Sequence, residues 1–391
     1  MKDKLLTSFL FAAVFLALAS TAMASTTWYV NGVSGSDSNN CMSAQTACKT
    51  IGHAISLASL GDSVMIAAAT YTENLLINVN LKLIGSGATK TIIDGGGIST
   101  VISIVNTAAN VTLSKVTISN GVSAFGGGIY NEGTLTVNSS TISGNTAADS
   151  FGYAYGGGIY SFGTLVINNS TLSGNFASAS FKSAAGGAIY STGALAINNS
   201  TLNGNGASGH LGGGGGGIAI ATGTAKISNS TLSGNGAIGG GGGISNAGTV
   251  TINNSTLSGN VTRNSSGGGG ISNVGTATLQ NSIVANNTSG GNCSGTMTSN
   301  GYNLSSDGTC TFSNTGDLNS AHPKLGTLGN YGGPTQTIPL LSGSPAIDAG
   351  NPNGCTNSNG HLLKTDQRGQ PRPDKEDSGG CDMGAYERQS D

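Results

Sequence analysis

Carboxylate and basic side chains, which carry out most polysaccharide chemistry, are scarce in the middle of this chain. Residues 121–300 contain five charged residues: Glu132, Asp149, Lys182, Lys226 and Arg263. Cleavage of an acidic sugar chain requires clustered carboxylates, for calcium or for acid–base work, and a basic residue beside them. Because Glu132 and Asp149 occupy different places in their repeats, this segment predicts no catalytic residue and no cofactor.

Charged residues are concentrated instead in the last part of the chain. Six of them recur there among prolines and cysteines: Asp348, Asp366, Arg368, Arg372, Asp382 and Glu387. Mixed charges in a cysteine-containing segment favour a salt-bridged structural cluster. A calcium site and an active site are the two alternatives for the same residues.

Three tyrosines, Tyr130, Tyr160 and Tyr190, recur at a spacing of 30 residues. Each follows an aliphatic residue, so a strand that buries the aliphatic side chain projects the tyrosine outward. Tyr153 and Tyr155 lie in an insertion between two repeats, where solenoids often bind ligands. A stacked ladder stabilises the fold, but tyrosine faces also pack against sugar rings. These five tyrosines are therefore the candidate binding residues.

The chain has six cysteines, and an even number in an exported protein suits a disulfide framework. Proximity in sequence favours Cys41–Cys48, Cys293–Cys310 and Cys355–Cys381, although about 15 pairings are possible. The chain has no CxxC motif and its histidines are scattered, so we predict no metal site.

The first 24 residues have the features of a secretory signal peptide. Lys2 and Lys4 precede an apolar run, and an A-x-A motif predicts cleavage between Ala24 and Ser25. The remaining chain has no apolar stretch long enough for a transmembrane helix and no basic stripe for nucleic acid. We expect a secreted or cell-surface protein, and we leave open an association with the outer membrane.

A repeat predicts which elements position these side chains. A glycine run, an aliphatic residue and a closing asparagine recur six times, and the asparagines are Asn145, Asn175, Asn205, Asn235, Asn260 and Asn287. Apolar residues two apart, such as Leu165 and Ile167, indicate short strands. Such strands bury their apolar side only by coiling and stacking. This pattern predicts an all-β fold, a right-handed single-stranded parallel β-helix.

Stacking also places equivalent polar residues over one another. One such file predicts a ladder of amide hydrogen bonds along the axis: Asn169, Asn199, Asn229, Asn254 and Asn281. Ile51, Ala54, Ile55 and Ala58 have helical spacing and predict a short helix that caps the N-terminal end.

We divide the chain by these patterns into four parts. The signal peptide occupies residues 1–24, and an N-terminal cap with the first coils occupies residues 25–120. Regular β-helix coils follow over residues 121–300. A disulfide-stapled C-terminal cap occupies residues 301–391.

Two sets of motifs resemble known proteins. Gly186-Gly187-Ala188-Ile189 and Leu172-Ser173-Gly174-Asn175 resemble repeats of chlamydial-type polymorphic outer-membrane proteins and, more broadly, the pectin-lyase-like superfamily. Segments 344–350, 366–369 and 381–387 resemble the choice-of-anchor Q domain of bacterial surface proteins. The first resemblance implies the β-helix, and the second implies display at a surface.

We therefore expect an exported, non-enzymatic bacterial surface β-helix protein that acts in adhesion or surface structure. The expected partners are surface glycans or molecules of host or neighbouring cells. The alternative is a carbohydrate-active or carbohydrate-binding protein of the pectin-lyase-like group, a polysaccharide lyase or hydrolase. Clustered charged residues in the coils would favour the carbohydrate-active protein. Their scarcity favours the non-enzymatic surface protein.

Overall fold

The structure, a computed structural model, describes residues 25–263, 265–375 and 380–390. The predicted signal peptide, which ends at Ala24, lies outside these residues. The described chain forms a parallel β-solenoid of about eight turns with 3% helix, which confirms the predicted fold class. None of its helices has the length and apolar character needed to cross a lipid bilayer.

Three long sheets form the walls of the solenoid, since each strand pairs in parallel with the equivalent strand one turn away. Among the described residues, sheet A has 11 strands, sheet B has 10 and sheet C has 9. The strands of sheet A are Thr27–Val30, Asp62–Ile66, Leu81–Gly85, Asn110–Ser114, Thr134–Asn138, Thr164–Asn168, Ala194–Asn198, Thr224–Ser228, Thr249–Asn253, Thr276–Gln280 and Thr298–Ser299. Those of sheet B are Ala69–Thr72, Thr91–Asp94, Thr117–Ser119, Thr141–Ser143, Thr171–Ser173, Thr201–Asn203, Thr231–Ser233, Thr256–Ser258, Ile283–Ala285 and Leu304–Ser305. Those of sheet C are Leu75–Ile77, Ile102–Ile104, Ile129–Asn131, Ile159–Ser161, Ile189–Ser191, Ile218–Ile220, Ile244–Asn246, Ile271–Asn273 and Cys293–Ser294.

Two shorter sheets form where the repeats carry insertions between sheets B and C. Sheet D consists of Val122–Ser123, Thr146–Asp149, Phe176–Ala179, Gly206–Gly209, Gly236–Ala237 and Val261–Thr262. Sheet E consists of Ala154–Tyr155, Ala184–Ala185 and Gly213–Gly214. Sheet E lies beside sheet C and therefore adds a second row of side chains next to the tyrosines.

The core is an apolar column enclosed by the coils. Leu135, Leu165 and Leu195 pair in register on sheet A and are at most 3% exposed. The aliphatic residue that opens each repeat is equally buried, at Ile129, Ile159, Ile189, Ile218, Ile244 and Ile271. Burial of one such side chain contributes about 1.5–3 kcal/mol, which a single coil cannot achieve without its neighbours.

Both ends of this column are covered. The predicted N-terminal helix is confirmed as Ile51–Leu57, preceded by a short 3₁₀ turn, Ala44–Thr46. Glu73 accepts hydrogen bonds from the backbone N–H groups of Ile51 and Gly52, which stabilises the start of the helix. At the other end Met297, Cys310 and Phe312 join the core. All three predicted disulfides are present.

The rest of the C-terminal segment, which we call the tail (residues 321–375 and 380–390), runs back along the outer side of the coils. Gln367 bonds Thr201 and Thr231 of sheet B, and the backbone N–H of Ala385 donates to Thr256. The tail therefore covers a side wall of the solenoid as well, in addition to the residues that cover its end.

The buried amide ladder is formed by the closing asparagines rather than by the predicted file. The Nδ2 of Asn175 donates to the Oδ1 of Asn205 at 3.0 Å, and Asn205 donates in turn to Asn235 at 2.9 Å. In the predicted file, which runs from Asn169 to Asn281, side-chain amides bond each other between two pairs of neighbouring turns. Asn229 donates to Asn199, and Asn281 donates to Asn254. Its backbone has φ between 47° and 54°, a left-handed conformation that asparagine tolerates. Its chief role is to turn the chain.

Candidate functional site

The tyrosine ladder is assembled by the register of sheet C. Ile129, Ile159 and Ile189 point into the core, so Tyr130, Tyr160 and Tyr190 point outward at equivalent positions. The ring centroids of Tyr130 and Tyr160 lie 5.7 Å apart, and those of Tyr160 and Tyr190 lie 5.2 Å apart. Both pairs are stacked, as predicted.

A second row of aromatic residues joins the ladder from sheet E. Tyr155 stacks on Tyr190 with a centroid distance of 4.4 Å and an angle of 12° between the rings. Tyr153 stacks on Tyr155 at 5.6 Å, and the Nζ of Lys182 lies 5.8 Å from the centre of the Tyr153 ring. The five candidate tyrosines thus form one continuous surface, which we call the tyrosine cluster (Tyr130, Tyr153, Tyr155, Tyr160 and Tyr190).

The tyrosines of the cluster differ in the fraction of the side chain that is exposed to a ligand. Tyr160 is only 8% exposed because Phe125 and Phe162 pack against it, so it mainly supports its neighbours. Tyr153 is 44% exposed, while Tyr155 and Tyr190 are half-buried. Tyr130, Tyr153, Tyr155 and Tyr190 are therefore the members of the cluster that a ligand can reach.

Burial makes several phenol groups of the cluster weaker acids than a free tyrosine, which is itself neutral at neutral pH. It raises the pKa of Tyr155 and Tyr160 to about 12, and the neighbouring phenols add to the effect. Burial also raises the pKa of Tyr130, whose hydroxyl donates to the Oε1 of Glu132 at 2.9 Å. At neutral pH these groups act as uncharged hydrogen-bond donors and acceptors.

A groove of about 480 Å³ begins at the Tyr155–Tyr190 pair and continues along the solenoid axis. Its remaining lining consists of small residues of sheets C and E and the adjoining loops, among them Ser183, Ala219 and Ser245. Its volume lies in the range of small-molecule sites. The repeat pattern did not predict this groove, although the change from tyrosine to alanine and serine along one file of the repeat is visible in the sequence.

Two carboxylates of the coils, those of Asp94 and Asp149, are engaged in holding turns. Asp149 accepts hydrogen bonds from the backbone N–H groups of Gly152 and Phe151, which lower its pKa. Asp94 accepts from the backbone N–H of Gly96. Acid–base catalysis on a sugar requires two carboxylates facing one bond. These aspartates instead lie in separate turns and bond their own backbone.

The charged residues of the tail form a buried cluster. Arg368 lies 2.7 Å from Asp366, and Arg372 lies 2.6 Å from Glu387. The guanidinium of Arg372 also donates to Asn229 of the coils at 3.1 Å. These ion pairs join residues within the tail, and the bond from Arg372 to Asn229 links the cluster to the solenoid wall, which agrees with the structural interpretation of the cluster.

Asp382 extends this cluster. Burial raises the pKa of its carboxyl to about 7, and the negative charge of Glu387 adds to the effect. Backbone N–H groups of Asp348 and Arg388 donate to the same carboxyl and oppose the shift. The docking of the tail therefore includes a group that titrates near neutral pH.

One grouping of potential metal ligands occurs among the described residues: Cys41, Cys48 and His53. The two sulfur atoms are joined in a disulfide, so neither is available as a thiolate ligand. The grouping does not have the chemistry of a metal site.

No protein-family model matches this sequence, and no curated protein is significantly similar to it. The resemblances to the pectin-lyase-like superfamily, to polymorphic outer-membrane proteins and to the choice-of-anchor Q domain stay predictions.

Proposed function

We propose that this chain is an exported, non-enzymatic surface β-helix protein that acts in adhesion or surface structure, with the tyrosine cluster as its contact surface. The observation that carries the proposal is the convergence of five tyrosines from sheets C and E on one side of the solenoid. Stacked aromatic rings with neutral hydroxyls suit partners that have both apolar faces and hydroxyl groups, as glycans do.

The proposed location rests on two observations. Three disulfides favour an oxidising compartment outside the cytosol. The predicted signal peptide, cleaved before Ser25, provides the route to it. The protein is then secreted or held at the cell surface, where a stack of rigid coils can present one face to a neighbouring cell.

The non-enzymatic part of the proposal is supported by the surroundings of the charged side chains. Asp94 and Asp149 hold turns, and Arg368 and Arg372 are paired with carboxylates inside the tail. A lyase or hydrolase would need such groups aimed at a substrate.

A glycan array with the purified chain from residue 25 onward tests the proposal. The variant Tyr130→Ser/Tyr155→Ser/Tyr190→Ser should lose retention on the array by about tenfold or more, since each stacking contact contributes about 0.5–1.5 kcal/mol. The control is Tyr331→Ser, which removes an exposed tyrosine of the tail. Equal retention of both variants would contradict the proposed role, provided that circular dichroism shows an intact β signal.

The alternative, a carbohydrate-active enzyme or binding protein, is favoured by one observation. Glu132 lies at the edge of the tyrosine cluster and contacts the Tyr130 hydroxyl. We expect no turnover in a uronide-release assay or a reducing-sugar assay, with or without calcium. Turnover that Glu132→Gln abolishes would place an active site at the cluster, and turnover that Asp366→Asn abolishes would place it in the tail.

A further inference from the structure

Two files of side chains change from large to small within one turn of each other. On sheet C, the outward file that contains Tyr160 and Tyr190 continues with Ala219 and Ser245, each in register with the one before. On the adjoining wall Tyr155 is followed by Ala185 and then by Gly214. The last stacked rings therefore form a step, and the groove lies beyond it.

The floor of this groove requires the small residues that form it. A Cβ placed on Gly214 would meet the Oγ of Ser245 at 3.0 Å, and a Cβ on Gly240 would meet the Cα of Gly214 at 3.1 Å. Real Cβ atoms rarely approach other atoms so closely, so the two walls meet through glycine at the floor. The sequence thus combines an aromatic step with a floor of small residues.

The lining of the groove has no charged residue among the described ones. Its polar groups are the hydroxyls of Tyr155, Tyr190, Ser183 and Ser245 and the backbone of the glycine loops. The lining itself offers no cation to a carboxylate-bearing ligand, since Lys182 lies outside it beside Tyr153. An uncharged chain of hydroxylated rings would lose little and could exchange its hydrogen bonds with water for bonds to these hydroxyls.

We propose that the groove binds an uncharged glycan chain that lies parallel to the solenoid axis. One sugar ring packs against the Tyr155–Tyr190 step, and the following sugars lie over Ala219 and Ser245. This inference rests on the proposed function, because it identifies the class of glycan that the tyrosine cluster recognises. If the ladder only stabilised the fold, the groove beside its last ring would have no role. In the proposed complex, that ring forms one wall of the glycan site.

Matched substitutions at the two ends of the ladder test the proposal. Ala219→Tyr adds a ring in register with Tyr190 and fills the groove. Ser103→Tyr adds a ring in register with Tyr130 at the opposite end and leaves the groove open. Both variants lengthen the ladder by one residue on the same outward file of sheet C, so they differ chiefly in whether the groove is blocked.

Isothermal titration with cellohexaose, mannohexaose and xylohexaose measures binding, and hexagalacturonic acid is the charged comparison. We expect at least one neutral hexaose to bind the wild type, with affinity reduced about tenfold or more by Ala219→Tyr and unchanged by Ser103→Tyr. Hexagalacturonic acid should bind more weakly than that hexaose. Failure of all three neutral hexaoses, stronger binding of the acidic one, or equal effects of the two variants would overturn the inference.

The same variants separate this inference from the proposed function. If the groove is wrong but the cluster is adhesive, Ala219→Tyr keeps its retention on the glycan array while the triple tyrosine variant loses it. If both are wrong, neither variant changes retention. If the groove instead holds a second copy of the chain, gel filtration will give a dimer that Ala219→Tyr converts to a monomer, and the glycan inference fails.

Discussion

The coils and the tail of this protein are held together by different interactions. The coils use uncharged groups that repeat, such as Asn175 and Asn205, whose amides bond one another at each turn. The tail uses contacts that occur once, such as the ion pair of Arg372 with Glu387 and the disulfide Cys355–Cys381. Because each turn of the coils makes the same neutral contacts, every turn contributes to their stability. The docking of the tail depends instead on a few contacts that are each made once.

This difference explains the uneven distribution of charge in the sequence. A charged residue in a stacked file would face an equivalent residue about 4.8 Å away in the next coil, and like charges at that distance repel. The tail has no repeat, so each of its charges can be matched with a different partner. A substitution that removes a tail contact should therefore destabilise the tail alone. A substitution in a ladder should destabilise the coils.

The largest effect should come from removing one partner of the buried ion pair. Glu387 is 0% exposed, so Glu387→Ala removes the carboxylate that lies 2.6 Å from the buried guanidinium of Arg372. We expect tail docking to lose about 3–5 kcal/mol. Hydrogen exchange measured by mass spectrometry should rise across residues 364–390 and stay unchanged in sheets A, B and C outside the tail contact.

Glu132→Ala is the matched control, because that carboxylate makes its hydrogen bond with Tyr130 at the surface of the coils. It should cost about 1 kcal/mol. Loss of protection throughout the coils in Glu387→Ala would show that the two regions are not independent.

Opening the disulfide of the tail should have the next largest effect. Cys355→Ser/Cys381→Ser frees a loop with a sequence separation of 26 and should cost about 2–4 kcal/mol. Limited proteolysis should cut the tail faster while the coils resist. Cys41→Ser/Cys48→Ser, with a separation of 7, should cost less because its loop is shorter. Free thiols at Cys355 and Cys381 in exported protein would refute the stapling role.

A break in the amide ladder should weaken the coils. Asn205→Ala removes the acceptor of the backbone N–H and the side-chain amide of Asn175, both of them buried. We expect about 2–3 kcal/mol less stability in urea unfolding followed by circular dichroism.

Asn203→Ser is the control for the ladder, since serine already occupies the equivalent positions Ser173 and Ser233. Its stability should change by about 0.5 kcal/mol or less. If Asn205→Ala is equally mild, the ladder does not provide the stability assigned to it.

The smallest effect should be a dependence of tail docking on pH. Burial raises the pKa of Asp382 to about 7 in the folded protein, above its ordinary value of 3.8. Folding therefore favours the protonated carboxyl, and this contribution is complete below pH 3.8 and is lost as the pH rises through about 7. Hydrogen exchange of the tail, corrected for intrinsic rates, should show weaker docking at about pH 8 than at about pH 5.5.

Asp382→Asn removes the titrating group and should make docking less sensitive to pH over the same interval. Docking that strengthens as the pH rises in the wild type would contradict the assigned direction of the pKa shift.

Periodicity in the sequence was sufficient to predict much of the fold and part of the site. The spacing of Tyr130, Tyr160 and Tyr190 predicted their stacking, because equal repeats place equal positions over one another. It did not predict that Tyr155 would stack on Tyr190, since that contact joins two different walls of the solenoid. Nor did it predict that Tyr160 would be almost buried, which depends on Phe125 and Phe162.

The sequence by itself determined the stacked coils, their register and the inward file of isoleucines, because in a repeat these depend on neighbours at a fixed separation in the chain. The tertiary structure alone decided where the aperiodic parts lie. The tail reaches Thr201 from Gln367, a separation of 166 residues with no repeat to predict it. The groove beside Tyr190 likewise depends on the angle between sheets C and E, which arises only when both walls pack on the same core.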